Sequence, residues 1–220
     1  MEWGERIHMI KPEAQLLMLQ NWFSASFPIG GFSYSHGLES AVQEGLVTNE
    51  EELEEWIKGL IEFGSLRNDL IFLKMAYEGA HEANDLALSL CASRERYVET
   101  TELGKHFRQI ISQSHDIRLA EGLTYPVAIG KIAKQFEIDL KWLALFYLQG
   151  FVGNLVSIGI RIIPIGQLAG QRIILHLQDV LVQFTNRLDG LDADALGGFA
   201  SMADMMAMKH ETSQPRLFRT

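Results

Sequence analysis

The sequence predicts an all-α fold, and three observations predict it. Apolar residues recur at helical spacing in block after block. No pair of alternating runs reads as a hairpin. The punctuation between blocks is that of helix ends, with Pro12, Thr48, Tyr125-Pro126 and Asp139 at starts and Gly45 at a stop. The expected architecture is a single helical-bundle domain of about nine or ten helices around a buried central one.

Each element has its own warrant. Pro12 suits a first helical position, and Leu16, Leu17, Leu19, Trp22 and Phe23 follow at helical spacing. Pro28 and Gly30-Gly31 then break the chain. A short helix is expected from about Ser35 to Glu44. Thr48 to Glu51 has the form of a capping box, with Thr48 as cap. Behind it Leu53, Trp56, Ile57, Leu60 and Ile61 form one apolar stripe. Further helices are predicted over 68–78, 82–93, 95–114 and 125–136, with 95–114 more polar than 82–93. Asp139 caps a long apolar helix. Pro164 and Gly166 end it, and Ile173, Ile174, Leu177, Val180, Leu181 and Phe184 mark one face of the next. Asp194 is the expected cap of a last helix, from Ala195 to about Lys209.

Composition sets bounds. The 220 residues are 47% hydrophobic and 21% charged, which is the make-up of a folded chain. Such a length buries roughly 70% of its unfolded surface without staples. Neither a fixed-period repeat nor a Ser/Pro/Gly-rich linker divides it, so residues 1–220 form one domain. Residues 1–11 are expected to be a flexible N-terminus, and residues 210–220 a tail. The net charge of −9 argues against nucleic-acid partners. The single cysteine, Cys91, excludes an internal disulfide and a cysteine zinc cluster. Glu2, Glu5 and Arg6 interrupt what would be a signal peptide, which points to the cytoplasm. Residues 143–160 carry no charge over 18 positions, enough to raise a membrane span. Gln149, Asn154, three glycines and the adjacent Arg161 favour a buried core helix instead, with no membrane partner.

No catalytic constellation, metal site or cofactor motif is legible. No two of the seven histidines stand at i, i+3 or i+4. Gly30-Gly31 is followed by Phe32 rather than Lys, so it cannot cradle a triphosphate. Two features suggest interaction surfaces. Seven acids and no base lie between Glu39 and Glu55: a solvated helix face, or a surface that steers a basic partner. At the C-terminus Arg216 and Arg219 flank Leu217 and Phe218, a pattern shared by frayed tails and by interface anchors.

Three blocks carry a family resemblance. Phe27-Pro28-Ile29-Gly30-Gly31-Phe32-Ser33-Tyr34-Ser35-His36-Gly37-Leu38-Glu39 resembles the first signature of the urease accessory protein UreF family. Arg161-Ile162-Ile163-Pro164-Ile165-Gly166-Gln167-Leu168-Ala169-Gly170-Gln171-Arg172 is similar to its middle block. His210-Glu211-Thr212, then Arg216-Leu217-Phe218-Arg219-Thr220, is similar to its ending. The sequence departs from that family at His36, where Gln is usual, and at Gln214-Pro215, where the family has Tyr-Ser.

The resemblance implies an all-helical, non-enzymatic scaffold in the cytoplasm. Its implied partners are a UreD/UreH-like accessory protein, the GTPase UreG and apo-urease, with a homodimer inside the assembly. Its implied role is to couple GTP hydrolysis to nickel insertion. The candidate partner-binding residues are Phe32, Ser33, Tyr34, His36, Arg161, His210, Glu211, Arg216, Leu217, Phe218 and Arg219. In this reading Leu217 and Phe218 are apolar anchors, the two tail arginines meet a partner's carboxylates, and the tail gains order on binding. Two alternatives stand beside it. One is a GTPase-activating role through Arg161, Arg216 or Arg219. The other is a nickel metallochaperone using His210 or His36.

Overall fold

The computed structural model describes residues 11–115 and 117–219. The expected flexible N-terminus falls outside them apart from Lys11, as does Thr220.

Among the described residues there are ten α-helices and no strand. They are α1 (Pro12–Trp22), α2 (Leu38–Gln43), α3 (Glu50–Glu62), α4 (Ser65–Glu78), α5 (Ala83–Ser89), α6 (Arg94–His115), α7 (Tyr125–Gln135), α8 (Leu140–Ile162), α9 (Gln167–Arg187) and α10 (Ser201–His210). One-turn 3₁₀ segments sit at Gly31–Ser33, Leu188–Gly190 and Ala193–Ala195.

The expected apolar stripes face inward. Leu53, Ile57, Leu60 and Ile61 of α3 are buried, as are Ile173, Leu177, Leu181 and Phe184 of α9. α8 is the hub, packed against α9, α1, α2, α3 and α4. It is long and apolar enough to cross a membrane by length and composition alone. Its faces are unequal, however. Leu143, Tyr147, Leu148, Val152, Leu155 and Ile158 are buried, while Phe146, Gln149, Phe151 and Asn154 are only partly covered. The central helix is therefore not surrounded on every side, and its open face becomes one wall of a groove.

Five element boundaries differ from the sequence expectation, three of them for a visible local reason. α2 begins at Leu38 rather than near Ser35, because His36 and Gly37 both have positive φ, 52° and 76°. Asn49, not Thr48, caps α3, accepting from the Glu52 amide at 2.9 Å. Glu52 in turn accepts from the Thr48 amide and hydroxyl, so its side chain reaches back to the residue before the cap rather than to the cap amide. α4 starts at Ser65 rather than Asn68, and α5 stops at Ser89. α10 starts at Ser201 rather than Ala195, because Gly197 has φ of 95° and Gly198 lies against the backbone of Phe63.

α7 packs tightly on α4 through Gly130, where any Cβ would collide with the Leu73 carbonyl. In the same way Gly104 lets α6 lie against the backbone at Leu123 and Thr124. These two contacts help fix α6, which carries the buried Glu95 and Glu99.

Candidate partner-docking site

α6 positions the site. Leu103, Phe107 and Ile111 recur every four residues along its buried stripe, and two turns toward the N-terminus that same stripe continues as Glu99 and Glu95. The two carboxylates are therefore carried into the interior. A buried carboxylate requires partners, and each has them.

Glu95 meets His210, the last residue of α10, with Oε2 2.8 Å from Nδ1. The other ring nitrogen lies 3.0 Å from Glu39 Oε2 on α2. His210 is 0% exposed and is clamped between two carboxylates. Glu39 is also buried, so it does not belong to the solvated acidic face in which the sequence placed it. Burial pushes the Glu95 carboxyl above the ordinary range, and His210 and Arg216 oppose that shift.

A second cluster adjoins the first. Arg96 holds both oxygens of Asp69 at 2.6 Å, and Tyr147 donates to Asp69 Oδ2 at 2.7 Å. Arg96 Nη1 lies 3.2 Å from Glu99, whose other oxygen is 3.0 Å from His36 Nε2. Burial alone would raise Glu99, but His36 and Arg96 outweigh it and hold the carboxyl below its usual range. Burial would lower Arg96, yet Asp69 and Glu99 hold it well above its usual value. The His36 ring also packs on Phe151, with centroids 4.3 Å apart.

The tail is built onto this charge. Glu39 accepts from the amides of Leu217 and Phe218 at 2.8 and 2.9 Å. Arg216 Nη1 reaches Glu95 Oε1 at 2.8 Å. The Arg219 amide donates to Ser33 O at 2.7 Å, and its guanidinium lies 3.4 Å from the Tyr34 hydroxyl. Glu211 accepts from the Arg94 amide at 2.8 Å. The order that the tail was expected to gain on binding is thus already present on its own body. Phe218 is buried rather than free, and Arg216 pairs with a carboxylate of this same chain.

What remains outward is specific. Leu217 is 76% exposed and Phe32 is 60% exposed. Ser33 folds back, donating to Gly30 O at 2.8 Å, and Tyr34 is buried. Phe32, Phe23, Phe27, His36, Phe151 and Arg161 help line a groove of about 520 Å³ beside the open face of α8. Arg161 is exposed, with Ser157 Oγ 3.5 Å away.

The structure therefore joins Phe32–His36 to His210–Arg219 in one assembly, and Arg161 lines the groove that Phe32 and His36 also line. The receptors Glu39, Asp69, Glu95, Arg96 and Glu99 were not among the sequence candidates. For Glu95 and Glu99 alone the register with the buried stripe of α6 is a weak signal, and it does not name their partners. Among the described residues no group of three or more His, Cys, Asp or Glu side chains is placed to hold a metal ion.

Known proteins agree on where this chain belongs. The family model for UreF matches residues 47–178, more than half of the chain. The urease accessory protein UreF of Ruegeria pomeroyi is 38% identical over 213 residues, covering 94% of this chain and 98% of that protein. Its counterpart in Rhodopseudomonas palustris is 34% identical over 223 residues, covering 94% of each. Urease accessory protein UreF 1 of Brucella abortus biovar 1 is 38% identical over 218 residues, covering 95% of this chain and 96% of the relative. With an all-helical fold and matches of that length, the chain belongs to the UreF family.

Proposed function

We propose that this protein is a non-enzymatic scaffold of urease maturation in the cytoplasm. In this reading it joins a UreD/UreH-like protein and the GTPase UreG on apo-urease, as a homodimer, and couples GTP hydrolysis to nickel insertion. The family membership supports the accessory role. One observation carries the docking part. Phe32 and Leu217 project into the open from two segments that Glu39 and the Arg219–Ser33 bond tie together. Apolar side chains held outward on a rigid base lose little freedom on binding, which suits interface anchors. Because one network holds both segments, a partner on the tail would alter the Phe32 turn, and linked occupancy of two surfaces is what coupling requires.

The experiment is a pair of exposed truncations. Phe32→Ala and Leu217→Ala should each weaken binding to the UreD/UreH-like partner by about tenfold or more, the range of a hot spot. The melting temperature should stay unchanged, since neither side chain is buried. Undiminished binding by both variants overturns the anchor role.

A GTPase-activating role is favoured by one observation, at Arg161 alone. Arg216 and Arg219 are engaged by Glu95, Ser33 and Tyr34, whereas Arg161 is exposed and lies beside the neutral Ser157. Under that reading Arg161→Ala lowers GTP turnover by UreG while the complex still assembles. No comparable observation favours the nickel-binding alternative.

A further inference from the structure

The far side of α9 carries an apolar stripe that neither the core nor the tail uses. Leu168, Leu175 and Val182 stand at i, i+7 and i+14, and they are 71%, 61% and 43% exposed. This repeat keeps all three near the centre of the outward face of the helix. From Leu168 to Val182 the stripe runs about 21 Å at 1.5 Å rise per residue.

One edge of the stripe is acidic. α3 packs beside α9, and two cross-links fix the register: Arg172 with Glu50 at 2.5 and 2.8 Å, and His176 with Glu54 at 2.9 Å. This brings Glu50 and Glu54 alongside the stripe, with Glu51 and Glu55 exposed on the same helix. Arg172 and Lys58 offset only part of that charge. On α9 itself the opposite edge is formed by the uncharged Gln171 and Gln178.

An apolar ridge with a negative rim on one side fits one class of occupant. We propose that the α3–α9 face docks an amphipathic helix of a partner protein, about four turns long, with leucine-like side chains on one face and Lys or Arg along one edge. A second copy of this chain is disfavoured, because it would set the same acidic rim near itself in a molecule of net charge −9. The surface is distinct from Phe32 and Leu217, so the two proposals fail separately.

The test uses the full chain and a synthetic helix of about four turns, with Leu at its heptad positions and Lys along its flanks. The control peptide carries Glu in place of Lys. Fluorescence anisotropy should show the Lys peptide binding about tenfold or more tighter than the Glu peptide, with the difference shrinking as salt rises. Leu175→Ser should weaken Lys-peptide binding by about tenfold, and Glu51→Lys with Glu55→Lys should abolish the preference between peptides. All three positions are exposed, so folding is retained, and Leu168→Ser offers an independent second variant. Equal binding of both peptides, or binding indifferent to Leu175→Ser and Leu168→Ser, overturns the proposal. Sedimentation showing that Leu175→Ser splits a self-associated chain also overturns it, by assigning the face to a second copy.

Discussion

Glu39 is the residue on which the tail depends. Its two oxygens serve His210 and two consecutive amides, from elements 171 or more positions apart. Glu39→Ala would leave a buried imidazole and two amides short of a partner. Removing one member of a buried charged cluster costs about 3–5 kcal/mol, and Glu39→Gln should cost less, because an acceptor remains. Urea unfolding measures both, and limited proteolysis should cut the tail first in the alanine variant. Glu99 gives a pH dependence with a definite sign. Its carboxyl is held below its usual range, so its contribution is complete above the ordinary glutamate pKa of about 4.3 and fades as pH falls through the folded value. Glu95 is shifted upward, so its contribution has the opposite sign and fades as pH rises through its folded pKa. Glu99→Gln should therefore flatten any fall of melting temperature on acidification, and Glu95→Gln should steepen it.

At the scale of elements, the period of the apolar residues was enough to place the helices. The α3 stripe, the α9 stripe and the Asp139 cap all stand where the sequence puts them. Errors arose where a boundary depends on left-handed backbone or on a tertiary neighbour. His36 and Gly37 delay α2, and Gly197 with Gly198 delays α10. The buried charges were illegible for a related reason. Glu95 and Glu99 look like ordinary polar residues until α10 and the 34–37 turn, remote in sequence, supply His210 and His36. Close packing yields a further prediction. Gly130→Ala would press a methyl group into the Leu73 carbonyl, forcing α7 away from α4. Overpacking of this kind costs about 1–3 kcal/mol, and the loss should appear as a lowered melting temperature even though alanine favours helix.

The whole molecule is a helical body with its C-terminal tail fastened to its own buried charge, and with Phe32 and Leu217 left exposed. The proposed role is that such a chain acts through what it holds together. The measurement that tests this most directly is nickel-dependent activation of apo-urease, reconstituted from apo-urease, the UreD/UreH-like protein, UreG, GTP and nickel, with and without this chain. The account predicts that the partners coelute as one complex and yield active urease only when the chain is present, and that Phe32→Ala with Leu217→Ala reduces both together. Equal assembly and equal activation in its absence would contradict the account.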